Sequence, residues 1–184
     1  MYFNCGHKGH FHSPANESGN EQIITNNSKS LKVDIHCHRQ CYTAGEMMQS
    51  EAEKAGFAAL SFGSELTKEV NQKQLDFIKP KMQSIDVRLK DMDDMGIDIQ
   101  AVSVSPYQYY YWADPEVGRD VSRLINDDMA QDISKHPDRF VGLGTIPLQN
   151  TEMAIAELER CVNELGFRGI EINTQVAGEE LSAE

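Results

Sequence analysis

The chain has 184 residues, 40% of them hydrophobic and 25% charged, which is enough for one domain with its own core. Lys and Arg total 17 against 29 Asp and Glu, a net charge of −12. That balance opposes binding to nucleic acid or to an anionic membrane, since both need a cationic surface.

No apolar run approaches the roughly 18 residues of a membrane span. Met1 to His12 lack the basic-then-apolar order of a secretion signal. Cys5, Cys37, Cys41 and Cys161 are too few and too unevenly spaced for a disulfide framework. The expectation is a cytoplasmic protein that meets a small molecule, with no nucleic-acid or membrane partner.

Asn, Ser, Gly and His dominate residues 1–29, which predicts a flexible extension ahead of a folded domain at 30–184. The extension holds Cys5-Gly6-His7-Lys8-Gly9-His10, the inner spacing of a zinc knuckle. Tyr2 and Ala15 stand where its outer cysteines would fall. Two ligands of four do not close a structural zinc site, so His7 and His12 nearby suggest only adventitious metal binding.

Leu31 to His36 alternates and is rich in branched residues, which predicts a strand. Strict alternation puts Val33 and Ile35 on one face and Asp34, His36 and His38 on the other. Residues 44–60 are helical in part, and 61–79 have weak periodicity and read as loop. Pro80 opens a helix whose stripe is Met82, Ile85, Leu89, Met92 and Met95, with Gly96 as its C-terminal cap. Residues 97–105 form a second strand, ended by Pro106. Pro115 opens a helix with Val117, Val121, Leu124, Ile125 and Met129 on its buried stripe. On that helix, Asn126, Asp127 and Asp128 read as surface or capping groups. Residues 140–146 form a third strand. Thr151 caps a helix that runs to Gly166, and residues 167–173 form a fourth strand, where Glu171 and Asn173 share one face.

Strands alternating with helices imply βαβ units and a parallel sheet. Four such strands fit half of a (β/α)₈ TIM barrel or a small doubly wound sheet. No glycine-rich phosphate loop follows the first strand, which weakens a dinucleotide-binding version of the second option.

The chemistry concentrates in Val33-Asp34-Ile35-His36-Cys37-His38. Two imidazoles two residues apart on a strand project together, and in a barrel the C-terminal strand ends form the catalytic mouth. Such a pair suits one divalent ion, and it is also compatible with two polar residues at a strand end.

Asp34-Ile35-His36-Cys37-His38 resembles the opening metal motif of the amidohydrolase-related metal-dependent decarboxylases. The resemblance continues through Arg88 to Ile97, Tyr111 to Glu116, His136 to Pro147 and Glu159 to Ile170, in consistent order from Lys32 to Asn173. It implies a partial TIM barrel of about four βα units and a carboxy-lyase acting on an unsaturated or aromatic carboxylic acid. It also implies one divalent ion, commonly zinc, with His36 and His38 among its ligands.

The family's later ligand histidine, its acid/base histidine and its ligand aspartate have no counterpart here. The only histidine after His38 is His136, at the bottom of a barrel. The expectation is therefore a truncated chain with little turnover alone. Residues 63–80 carry Lys68, Lys73 and Lys79 but no arginine, so the two-pronged carboxylate clamp of the family is missing. Tyr107 and Trp112, after the second strand, are candidate substrate contacts. Two other readings stand beside the decarboxylase: a metal-dependent hydrolase on the same scaffold, and a non-catalytic half-barrel that pairs as a homo-oligomer through its uncovered strand edges.

Overall fold

The computed structural model describes residues 30–54, 64–176 and 178–182. The expected flexible extension, with the Cys5 to His12 cluster, lies outside the described residues, as does the end of the predicted 44–60 helix.

The elements are β1 (Val33–Arg39), α1 (Tyr42–Lys54), α2 (Glu65–Gln83), α3 (Ile85–Met95), β2 (Ile99–Val104), a 3₁₀ turn (Pro106–Gln108), α4 (Pro115–Lys135), β3 (Phe140–Gly144), α5 (Thr151–Asn163) and β4 (Gly169–Ile170). A small antiparallel hairpin of β5 (Gln175–Val176) and β6 (Glu179–Glu180) follows, where no strand was expected. The sheet runs β1-β2-β3-β4 and every pair is parallel. Alternating strands and helices thus give four consecutive neighbours, the partial-barrel arrangement expected of the sequence.

Three local expectations change. The predicted loop at 61–79 is mostly helix α2, with 61–63 outside the described residues. Ser64 caps it, its hydroxyl accepting from Thr67 N at 3.2 Å, a contact typically worth about 1 kcal/mol. Lys68–Glu65 at 2.8 Å and Lys73–Glu69 at 2.6 Å support its surface. Its Leu66, Val70 and Phe77 are exposed, so no buried stripe advertises the helix. Pro80 does not open a helix but lies inside the last turn of α2. Ser84 separates α2 from α3: its N–H donates to Pro80 O, and its hydroxyl accepts from Val87 N. Asn150, rather than Thr151, caps α5 through Oδ1 to Met153 N at 3.0 Å.

Gly96 ends α3 at φ 68°, a left-handed conformation that glycine adopts without steric cost. Met82, Met92 and Met129 are buried as expected, while Met95 is 60% exposed.

The helices cover one sheet face. Cys37, Val102 and Phe140 from the strands pack there with Met92, Met129 and Cys161 from α3, α4 and α5. On the other face, Ala101 pairs with Val141 and both stay partly exposed. Asn126 is not a surface group: it is fully buried. Its amide donates to Thr145 O at 2.8 Å and Glu157 Oε1 at 2.7 Å, and its Oδ1 accepts from Thr145 N at 2.9 Å. Arg160 closes the cluster with two bonds to Glu157, at 2.9 and 2.7 Å. This network ties α4, the end of β3 and α5 together.

Candidate metal centre

Strand β1 does not alternate evenly. Asp34 aligns with Gln100 and Cys37 with Val102, so three steps along β1 match two along β2. That is a β-bulge, and it reverses the facing of residues on either side. Asp34 therefore shares the helix-covered face with Cys37, and the expected common face of Asp34, His36 and His38 is corrected. Asp34 instead accepts from Gln100 Nε2 at 3.0 Å and from His36 N at 3.2 Å.

Past the bulge, His36 and His38 do project together. Their Nε2 atoms lie 3.1 Å apart and the rings meet edge to face at 86°. His38 aligns with Ser103 of β2, whose hydroxyl is 2.9 Å from His38 Nδ1. Glu171, just beyond β4, brings Oε2 to 3.6 Å from the same nitrogen. Its own N–H donates to Gly144 O at 3.0 Å, which fixes the backbone there. His36, His38 and Glu171 each offer a ligand atom within 4.8 Å of the others. His38 and Glu171 lie at or beyond the C-terminal ends of their strands, and His36 at the middle of β1.

Arg88, from α3, holds the base of this site. Its Nη2 donates to His38 O at 2.6 Å and Lys81 O at 3.1 Å, and its Nη1 to Gln100 Oε1 at 3.1 Å. Burial lowers the His38 pKa below its ordinary 6.5, against the opposing pull of the Glu171 charge. The imidazole is thereby kept neutral at pH 7, the form that offers a lone pair. Burial also pushes the Cys37 thiol up to about 12, so this cysteine is an inert packing group rather than a thiolate ligand.

The chemistry of this donor set fits a divalent cation. Two nitrogens 3.1 Å apart can both lie about 2.0–2.1 Å from one ion. Tyr107 is 58% exposed and borders a groove with Gln40, Tyr42 and Glu46 on the α1 side. Trp112 is half-buried and packs edge-on against Tyr110 at 6.0 Å. His136 is at the N-terminal side of β3, against Phe140, as expected. Sequence reasoning missed Ser103, whose cue was its position in the alternation of β2. Tyr109 and Tyr111 are buried beside Glu171. Burial first, and the Glu171 charge as well, raise both phenols, Tyr111 to about 12.

The Amidohydrolase family matches residues 33–184. The 2-amino-3-carboxymuconate-6-semialdehyde decarboxylase of Dictyostelium discoideum is 33% identical over 162 residues, 83% of this chain and 43% of that protein. A dihydroxybenzoic acid decarboxylase structure from Polaromonas, with manganese and 2-nitroresorcinol bound, is 29% identical. It superposes with a TM-score of 0.60, covering 78% of this chain and 38% of that one. A 5-carboxyvanillate decarboxylase structure from Novosphingobium aromaticivorans, with manganese and 4-hydroxy-3-methoxy-5-nitrobenzoic acid, is 25% identical. Its TM-score is 0.66, over 82% of this chain and 44% of that one. The chain thus spans less than half the length of these relatives. Among the described residues, no helix is long and apolar enough to cross a membrane. A family match across residues 33–184, on a parallel strand–helix fold with paired histidines at the first strand, places this chain in the amidohydrolase family.

Proposed function

We propose that the protein is a divalent-metal-dependent carboxy-lyase that removes CO₂ from an unsaturated or aromatic carboxylic acid. The observation that carries this reading is the convergence of His36 and His38 Nε2 atoms to 3.1 Å at the open end of β1. His36 and His38 are the residues that would hold the ion. When bound, such an ion supplies Lewis-acid stabilisation of the negative charge that develops as the carboxyl carbon departs. The chain's own residues keep His38 neutral through burial and fix its backbone through Arg88.

Relatives that decarboxylate aromatic carboxylic acids and hold manganese support the substrate class and a divalent ion. Zinc is the ion that the sequence resemblance favours, and both metals belong in the test. Tyr107 and Trp112 enter the proposal as substrate contacts, supported by their place after β2. The acid/base group is not assigned to any residue of this chain.

The test has two arms. Titration of the 184-residue chain with Mn²⁺ and Zn²⁺ should show one site, abolished in His36→Ala and His38→Ala. The whole protein, loaded with either ion, should release CO₂ from carboxylated phenols or unsaturated dicarboxylic acids. Ring or amide opening without CO₂ would replace the lyase with a hydrolase on the same scaffold.

A further inference from the structure

We infer that Ser103 and Glu171 are positioning residues that lock His38 in the tautomer carrying its proton on Nδ1, leaving Nε2 bare and facing His36. The inference deepens the metal reading and rests on it for its consequence.

His38 has two ring nitrogens in different surroundings. Nε2 faces His36 Nε2 at 3.1 Å. Nδ1 faces Ser103 Oγ at 2.9 Å and Glu171 Oε2 at 3.6 Å. Serine alone does not decide the tautomer, because a hydroxyl donates or accepts equally well. Glu171 Oε2, at 3.6 Å, is beyond hydrogen-bond reach but turns negative charge toward Nδ1, and the Val104 backbone is a further acceptor for this ring. Ionised, the carboxylate only accepts, so a lone pair on Nδ1 would face oxygen lone pairs, whereas an N–H is attracted. With Nδ1 protonated, the neutral ring must leave Nε2 bare, and the 3.1 Å contact is then donated by His36.

Glu171 faces this ring on one side and the buried Tyr109 phenol on the other. Among the described residues, no lysine or arginine forms an ion pair with Glu171. Tyr109 and Tyr111, which its charge holds further in their protonated forms, are both buried. The Tyr109 hydroxyl leans toward the Glu171 carboxylate and the Tyr111 hydroxyl toward the Asn173 backbone, though neither reaches full hydrogen-bond geometry. Ser103 is only 2% exposed, so its hydroxyl stays on His38. A carboxylate behind a ligating imidazole fixes ring orientation and raises basicity, and its loss typically costs 10–100-fold in metal affinity.

The deciding measurement is the tautomer of His38 in the metal-free 184-residue chain, read from two-bond ¹H–¹⁵N correlations. The wild type should show a protonated Nδ1 and a bare Nε2. The Ser103→Ala/Glu171→Gln double variant should shift toward the Nε2–H form, and its Mn²⁺ affinity should fall about 10–100-fold. A wild-type His38 with its proton on Nε2 overturns the inference even if every variant misfolds. So does a folded double variant that keeps both the tautomer and the affinity. A wild type that shows the Nδ1–H form but takes up neither Mn²⁺ nor Zn²⁺ supports the positioning role while removing the metal reading.

Discussion

Two polar clusters in this molecule are built to opposite standards. Asn126, Glu157 and Arg160 form a closed set between α4, β3 and α5. Asn126 is fully buried and uses both ends of its amide on Thr145 and Glu157. Burying polar atoms is costly unless each is partnered, and here the cost is met within the fold. His36, His38 and Glu171 sit more openly and are incompletely partnered: His36 is exposed, and Glu171 has only the neutral His38 imidazole, 3.6 Å away, in place of a cation. The first cluster is complete by itself. The second has donor atoms to spare, which is how a site for something else is built.

The comparison can be broken most directly at Asn126. Asn126→Ala would leave the Thr145 N–H and the Glu157 carboxylate short of partners in the interior. We expect a loss of about 3–5 kcal/mol in urea unfolding and little change in Mn²⁺ affinity per folded molecule. His36→Ala should do the reverse. Its ion affinity should fall at least about 100-fold, with stability within about 1 kcal/mol of wild type, as for other exposed sites. If both variants lower stability equally, the two clusters are not different in kind.

A third test probes the closed side by volume. A methyl at Gly142 would lie 2.3 Å from the Phe167 ring and 2.9 Å from Ile133 Cδ1. Gly142→Ala should cost about 2 kcal/mol in the same unfolding assay and spare metal binding.

The smallest effect is one of pH. Burial raises the Cys161 thiol from 9.0 to about 12. A raised folded pKa means stability fully present below 9.0 and lost as pH rises toward 12, because the unfolded chain releases the proton first. At pH 10 this thiol alone should remove about 1.4 kcal/mol, an effect that Cys161→Ala should lack in urea titrations at pH 8 and 10.

What the sequence disclosed follows the range of the forces involved. Gly96 was legible as a cap because a left-handed residue after an apolar stripe is a local requirement. The first strand was legible from its alternation and the second and third from short apolar runs ended by proline, while the fourth, expected over 167–173, is only Gly169–Ile170. Helix α2 was not legible, because Leu66, Val70 and Phe77 face outward and its support comes from side-chain pairs that leave no hydrophobic period. Pro80 read as a start because proline suits a first turn, and only the structure shows it near an end. Asn126 read as a surface group because its partners Thr145 and Glu157 are 19 and 31 residues away. The histidine pair was legible from its spacing of two. Its true neighbours, Ser103 and Glu171, were fixed by strand register, which no local pattern encodes.

The bulge in β1 works as a phase shifter between packing and chemistry. Ahead of it, Asp34 is committed to Gln100 beneath the helices; after it, His38 is committed to Ser103 on the opposite side. With an even count, a residue anchored like Asp34 would have pulled both imidazoles in among the helices or been stranded outside with them. One surplus residue lets the strand serve both masters. Deleting Ile35 should therefore remove the bulge yet keep Asp34 and Cys37 on one face and both imidazoles on the other, because three steps against two become two against two.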